Sequence, residues 1–337
     1  MTTTFKFDGI KIFVIDGEIC YLEQLVVDII RAIKNNVIPL RLSVGGEGPC
    51  LENIGFYKLL DQIFEKFPYP TESVIIETAN LIEEHPTYQI IRKHQSYEYD
   101  AIKKHMVTVG NTEKKFDSNF KHFGHFIGHG NQYRLQLGSY LYSNHKNQTL
   151  QTYHCQVTEE YHRPHIGLED MMFCRASPQE IDWAIHLLKN TPLSIDAIDS
   201  YPILVPANLN ITKVYPTFFV EIVCQTYFSG KVFYVDEKIW RPMLMKTPFM
   251  IQGSADTIKN LHKLGFKTFD QWWPEGYSLD PWDCQVPYII DVLKILSKLS
   301  VSDLNTMYQD MLPVLNHNYN RLLELSPWDF RVFGQQQ

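Results

Sequence analysis

Short apolar strands alternate with amphipathic helices along this chain, and that alternation constrains its fold more than any other feature. Residues 40–44 form a short apolar run, residues 56–64 carry apolar side chains at helical spacing, and residues 74–76 are apolar again. The chain opens in the same order, with an apolar run at 11–15 before a helical pattern over 21–33. Strands separated by helices are typical of a mostly parallel sheet covered by helices. The sequence therefore predicts an α/β fold.

The alternation returns after a polar stretch at residues 111–121. It predicts strands at 123–128, 218–226 and 248–252, and helices at 132–142, 178–188, 236–245 and 256–264. Two helical patterns, 286–299 and 301–325, close the chain, and we expect them to pack back across the first domain. A chain of 337 residues is long enough for two domains. We place them at 1–115 and 116–300, with a C-terminal helix and tail at 301–337.

Composition narrows the classes of function. Apolar residues make up 45% of the chain and charged residues 20%, as in a folded globular protein. The net charge of -7 gives no global attraction to nucleic acid, although a local basic patch can hold a diphosphate. The six cysteines include no C-x-x-C pair, and no run resembles a signal peptide or a membrane span. We expect reduced thiols in a cytoplasmic protein that contacts membranes at most peripherally.

Residues 234–238, Tyr-Val-Asp-Glu-Lys, carry the first candidate site. An apolar strand end runs into Asp236, a good helix N-cap, and then into Glu237 and Lys238 in the first helical turn. The free N–H groups of a helix start suit a diphosphate, and Lys238 adds a full positive charge. The Glu237 carboxylate can accept hydrogen bonds from two ribose hydroxyls. A capped surface helix with an acidic first turn explains the same residues without any ligand.

A second cluster lies at residues 124–134, where a strand leads through a glycine-containing turn into a helix. Gly130 allows a ligand to approach the backbone, Asn131 follows it, and Arg134 can hold phosphate oxygens with two N–H groups. An ordinary turn with a surface arginine is the competing explanation. His122, His125 and His129 occupy a strand and turn instead of one helical face, so their spacing does not favour zinc. No Asp-x-Asp occurs in the chain, which weakens the case for a donor held through a divalent cation.

These residues resemble a known family. Residues 218–253 look like the donor-binding motif of the α-1,3-fucosyltransferases, with a fainter likeness to exostosin-type transferases, and the similarity is clearest across 218–277. In that family an apolar strand leads to Tyr-Val-Thr-Glu-Lys, a helix and a Pro-Val-Val strand. The likeness implies two Rossmann-like domains facing a cleft, the GT-B fold, with an N-terminal acceptor-binding domain and a C-terminal nucleotide-sugar domain. It also implies an inverting, metal-independent glycosyltransferase.

The resemblance also assigns residues. Glu237 and Lys238 correspond to the pair that binds the ribose and phosphates, with Tyr234 beside them, and Arg134 corresponds to a phosphate-binding arginine. The co-substrate is then a GDP- or UDP-linked sugar, with no other cofactor, and the partner is a carbohydrate acceptor such as a glycan. Asp236 replaces the family's threonine, and Gln225 stands where relatives often have glutamate. Those departures leave the sugar and the base of the donor open.

An inverting transfer needs a general base on the acceptor side. Asp16 and Glu18 follow the first predicted strand and Glu47 follows the second, where open α/β sheets place their ligands. Any of the three can be the base, and we rank Glu47 and Asp16 first. Two other classes of function remain open. A non-catalytic nucleotide- or carbohydrate-binding protein on the same fold is favoured by Gln225, and a metal-dependent hydrolase would use the histidines.

Overall fold

The protein is an α/β structure whose two larger sheets are both parallel. The computed structural model describes residues 12–15, 18–44, 48–92, 113–128, 130–153, 171, 176–195, 211, 213–225, 230–276, 282–326, 329 and 333. Two buried cores accompany the two parallel sheets, one in each half of the chain.

The first described elements form an antiparallel hairpin followed by a helix. Strand β1 (Ile12–Ile15) pairs with β2 (Glu18–Tyr21), and helix α1 (Leu22–Lys34) follows directly. We expected the first strand to belong to the parallel sheet, and this was wrong. In the sequence, Asp16-Gly17 separates the two strands, and Asp-Gly is a strong signal for a two-residue hairpin turn.

The first parallel sheet has the order β3-β4-β5. Its elements are β3 (Leu40–Val44), α2 (Phe56–Lys66), β4 (Val74–Thr78) and β5 (Gln89–Arg92). Helix α2 buries Phe56, Leu59, Leu60 and Ile63, because side chains three and four residues apart share one face of a helix. The predictions for β3, α2 and β4 are confirmed, whereas β5 was not predicted.

The second parallel sheet has the order β7-β6-β8-β9. Its elements are β6 (Lys121–Ile127), α3 (Gln132–His145), β7 (Thr149–Tyr153), α4 (Pro178–Lys189), β8 (Phe218–Cys224), α5 (Glu237–Leu244), β9 (Phe249–Gln252) and α6 (Thr257–Lys263). Every residue of β8 and β9 is buried, as expected for the central strand β8, although β9 stands at the edge of the sheet. The strand β7 was not predicted.

The order of this second sheet reverses at β6. The chain passes from β6 to β7 on one side and then returns to place β8 on the other side of β6. The carboxyl ends of β6 and β8 are therefore a topological switch point, at which the connections leave in opposite directions and open α/β sheets form a ligand-binding crevice. The helices that follow these two strands, α3 and α5, begin at the same edge of the sheet.

The two C-terminal helices, α7 (Trp282–Leu296) and α8 (Val301–Glu324), complete the second half. We expected them to pack back across the first domain, whereas the buried side chains of α8, among them Leu304, Met311 and Leu315, belong to the second core. Hydrogen bonds hold the helix there: Asn318 Nδ2 donates to the carbonyl of Lys267, and Arg321 Nε donates to the carbonyl of Leu264. None of the described helices is long and apolar enough to cross a membrane.

Hydrogen bonds to the backbone of residues 231–233 join the two halves of the chain. Asn80, just after β4, accepts from the N–H of Phe233 at 3.0 Å and donates to the carbonyl of Lys231 at 2.8 Å. Leu81 N–H donates to the carbonyl of Phe233 at 2.9 Å. The segment that leads into α5 is therefore fixed to the carboxyl edge of the first sheet. Lys114 donates to the carbonyls of Tyr215 and Phe218, so the chain near the proposed boundary contacts the second sheet, and the boundary itself stays a prediction.

Candidate functional site

The candidate site lies at the carboxyl edge of the second sheet, beside the crevice between β6 and β8. Open α/β sheets bind ligands in such crevices. Two helix starts face this edge, because α3 follows β6 and α5 follows β8 along the chain. Each of the two clusters predicted from the sequence stands at one of these helix starts.

The start of α3 is built by Gly130, Asn131 and Arg134. Asn131 is the N-cap, and its side-chain oxygen accepts from the backbone N–H of Arg134 at 3.0 Å. Gly130 is exposed, and a Cβ atom placed on it would lie 2.8 Å from the hydroxyl of Tyr153. Gly130 therefore lies close to this tyrosine, and a larger residue would require one of the two to shift, while the predicted approach of a ligand to Gly130 stays a prediction.

Arg134 reaches from α3 to the end of β8. Its side chain is buried, and its guanidinium donates to the carbonyl of Cys224 at 3.4 Å. The structure thus places this cation below the surface at the carboxyl end of β8. A surface arginine was the competing explanation, and the burial of Arg134 contradicts it.

The start of α5 is a compact charged cluster. Asp236 is the N-cap and accepts from the backbone N–H of Lys238 at 3.1 Å. Lys238 Nζ lies 2.9 Å from Asp236 Oδ2 and 2.8 Å from Glu237 Oε1. Burial raises the pKa of Glu237, but the charges of Lys238 and Arg241 outweigh it and lower that pKa to about 2. Glu237 is therefore ionised at neutral pH and can accept hydrogen bonds through its carboxylate.

Both clusters, one at the start of α3 and one at the start of α5, affect the pKa of Cys224. Burial raises the pKa of its thiol to about 12, while the positive charges of Arg134 and Lys238 both lower it. Arg134 also donates to the carbonyl of Cys224, so the two cations predicted separately at 134 and 238 both act on the end of β8.

A buried ion pair under α5 was not anticipated from the sequence. Arg241 lies 3.4 Å from Glu221 of β8, and both side chains are almost fully buried. The hydroxyl of Tyr215 donates to the other Glu221 oxygen at 2.7 Å. Burial lowers the pKa of Arg241, but Tyr215 and the carboxylates of Glu221, Glu237 and Asp236 outweigh it and raise that pKa, so both the core and the helix start act on this arginine. The one feature of the sequence that places Arg241 near the helix start is its position four residues after Glu237. No feature of the sequence indicates its pairing with Glu221.

Gln225 holds the approach to α5 in place. Its amide nitrogen donates to the carbonyl of Tyr234 at 3.1 Å, and its oxygen accepts from the hydroxyl of Thr257 at 3.1 Å. Gly253 makes room for this arrangement, because a Cβ there would collide with the Gln225 oxygen. Tyr234 is 5% exposed, so the side chain that we predicted to lie beside the ligand is buried.

The predicted general bases, Asp16 and Glu47, lie outside the described residues. One described acidic residue at the same edge of the first sheet is Glu83, which is buried. One of its oxygens accepts from the hydroxyl of Tyr57 at 2.8 Å, and the other accepts from Leu51 N–H and Asn80 Nδ2. With both oxygens engaged, Glu83 fastens the loops after β3 and β4 and does not face an incoming ligand.

The described histidines of the 122–129 cluster point into the fold. His122 Nε2 lies 2.9 Å from the carbonyl of Leu299, and His125 Nδ1 lies 3.1 Å from the carbonyl of Ile222. Burial lowers the pKa of His125 to about 4, so its ring is neutral. Both side chains are buried, so neither lies at the surface. His129 lies outside the described residues, and within the described chain no three His, Cys, Asp or Glu side chains form a group that could hold a metal ion.

Comparison with known proteins adds no assignment to this geometry. No protein-family model matches the chain, and neither the curated proteins nor the solved structures contain a match.

Proposed function

We propose that this protein is a glycosyltransferase of the GT-B type, with two Rossmann-like domains facing a cleft. It would transfer a sugar from a GDP- or UDP-linked donor to a carbohydrate hydroxyl, with inversion and without a metal. The observation that carries this proposal is the convergence of Arg134 and the Asp236–Lys238 helix start on the end of β8.

The cluster suits a nucleoside diphosphate through its individual contacts. Ionised Glu237 is a good acceptor for two neighbouring ribose hydroxyls, and Lys238 stands 2.8 Å from it, where the phosphates would follow. The helix starts of α3 and α5 add N–H groups and partial positive charge. Arg134 and Lys238 are balanced in formal charge by Asp236 and Glu237. Affinity should therefore come from direct contacts more than from long-range attraction.

The same residues suit the chemistry of transfer. An acceptor hydroxyl would attack the anomeric carbon while the nucleoside diphosphate leaves with its bonding electron pair. Arg134 and Lys238 would stabilise the negative charge that grows on the leaving diphosphate. The acceptor proton would pass to a base of the first domain, for which we propose Asp16 or Glu47. Glu83 is excluded from this role, because both of its oxygens are engaged inside the fold.

Activity of purified variants tests the proposal. The wild-type protein is incubated with a panel of GDP- and UDP-sugars and mixed glycan acceptors, and release of the nucleoside diphosphate is measured. Glu237→Gln and Lys238→Met should each abolish release, and circular dichroism should show that both are folded. Lys298→Ala, which changes an exposed lysine after α7, is the matched control and should be fully active. Full activity in both site variants would overturn the assignment.

A non-catalytic binding protein is the second candidate, and Gln225 favours it. Relatives often carry glutamate there, whereas this chain has a neutral amide that is occupied by Tyr234 and Thr257. Such a protein would bind a nucleoside diphosphate through the same cluster and release no product with any donor. Free, buried Cys50 and Cys224 suit a reducing compartment, so for either function we propose a cytoplasmic location.

A further inference from the structure

A cavity separate from the candidate site lies where the first sheet meets the segment that leads into α5. Its volume is about 630 Å³, and its lining includes Glu84, His85, Tyr88, Arg92 and Lys231. Arg92 ends β5, and Lys231 belongs to the segment that Asn80 holds against the carboxyl edge of the first sheet. The cavity is thus shared by both halves and lies a few residues before the donor-binding cluster in the chain.

An aromatic stack forms one wall of the cavity. The rings of His85, Tyr57 and Tyr88 form a triangle: the His85 centroid lies 4.1 Å from that of Tyr57 and 4.4 Å from that of Tyr88, and the two tyrosine centroids lie 5.9 Å apart. Its Nδ1 accepts from the backbone N–H groups of Thr87 and Tyr88, both at 3.2 Å. These two bonds require an unprotonated Nδ1, so Nε2 carries the proton and acts as a donor. The wall therefore offers a flat apolar surface with an N–H group at its edge.

Two cations from different halves stand at the same cavity. Arg92 Nε donates to the carbonyl of Glu83 at 3.0 Å, which fixes the guanidinium, and its terminal nitrogen lies 3.7 Å from Glu84 Oε1. Lys231 is exposed, while its own carbonyl is held by Asn80. The lining therefore holds one carboxylate and two cations, and His85 is held neutral by its hydrogen bonds. The carboxylates of Asp61 and Glu52, which are not among the lining residues, also act on His85, so the excess of positive charge belongs to the lining residues Arg92 and Lys231 alone.

We propose that this cavity binds the acceptor of the proposed transfer, and that the acceptor is a saccharide bearing an anionic group. The anionic group, a carboxylate or a phosphate ester, lies between Arg92 and Lys231. The sugar ring lies against His85, whose flat face suits the apolar face of a pyranose and whose Nε2–H donates to a hydroxyl. The volume lies within the range of about 300 to 1,000 Å³ typical of small-ligand pockets.

Direct binding measurements test this inference without relying on turnover. Calorimetric titrations use glucuronic acid, glucose 6-phosphate and glucose as probes against the full chain. We expect the two anionic sugars to bind and glucose to bind at least tenfold more weakly. Lys231→Glu should weaken the anionic sugars at least tenfold, Lys231→Arg should restore them, and Lys298→Glu should change nothing. The ratio of glucuronic acid to glucose 6-phosphate affinity identifies which anionic group the cavity prefers.

Two results would overturn the inference: equal affinity for glucose and the anionic sugars, or unchanged affinity in Lys231→Glu. Because the acceptor role rests on the proposed function, GDP and UDP are titrated in the same experiment. Nucleotide binding without anionic-sugar binding refutes the cavity and leaves the proposed transferase intact. Anionic-sugar binding that depends on Lys231, without any nucleotide binding, supports the cavity as a saccharide site and refutes the transferase.

Discussion

Replacing Glu237 with glutamine should remove a pH-dependent part of the protein's stability. The ordinary pKa of 4.5 falls to about 2 in the folded protein, because Lys238 and Arg241 outweigh the effect of burial. A difference of about 2.5 in pKa corresponds to about 3 kcal/mol. Glutamine has nearly the same shape and stays neutral, so it reproduces the protonated carboxyl and loses that stabilisation at every pH.

The sign of the pH dependence follows from the lowered pKa. Below pH 4.5 the unfolded chain binds a proton at this position before the folded chain does, so acid favours unfolding. The contribution of Glu237 is complete above its unfolded pKa and is lost as pH falls toward about 2. The wild-type protein should be more stable than the variant by about 3 kcal/mol at pH 7, and the gap should shrink to about 1 kcal/mol near pH 2.5.

Urea denaturation followed by circular dichroism, repeated between pH 2.5 and pH 7, measures this gap. The matched control is Glu65→Gln, which changes an exposed glutamate of α2 and should alter the free energy of unfolding by at most about 0.5 kcal/mol. Other carboxylates also titrate in this range, so the quantity of interest is the difference between wild type and variant. A difference that stays constant from pH 3 to pH 7 would refute the ion-pair geometry at the start of α5.

Two further predictions concern buried carboxyl groups. Glu221→Ala should lower the free energy of unfolding by about 3 to 5 kcal/mol, since it leaves Arg241 buried without its carboxylate, and Glu221→Leu with Arg241→Met should cost less; equal losses in urea denaturation would contradict this. Burial raises the pKa of Glu275 to about 7, so ionisation opposes folding as pH rises from 4.5 through 7. Glu275→Gln should therefore raise the melting temperature at pH 8 and leave it nearly unchanged at pH 4, and an equal shift at both pH values would count against it.

Much of the fold could be predicted because most of its strands and helices have continuous apolar patterns in the sequence. Strand β8 has seven buried residues in a row, and six of them are apolar, so the sequence predicts a buried strand despite Glu221. The two strands missed in the parallel sheets, β5 and β7, are short and only partly buried, and each contains glutamine. Such strands lack a continuous apolar run, so periodicity alone does not reveal them. The antiparallel hairpin was missed although the Asp-Gly signal was present.

The candidate site could be predicted only where its geometry is local. Asn131 caps a helix that begins at the next residue, and Lys238 forms ion pairs with the two residues that precede it. The contacts between distant segments were not predictable: Arg241 meets Glu221 across a strand and a loop, and Asn80 meets Phe233 across 153 residues. Such pairings depend on how the two sheets are placed, which no short pattern in the sequence encodes.

Titration of GDP and UDP into the purified protein tests the central claim most directly. The claim predicts saturable binding of at least one of them, lost or weakened at least tenfold in Lys238→Met and Arg134→Met and unchanged in Lys298→Ala. Arg134→Met and Lys238→Met remove the two cations that act on the end of β8, so both must weaken the same nucleotide. Absence of binding by folded wild-type protein, or binding that both variants retain, would contradict the account.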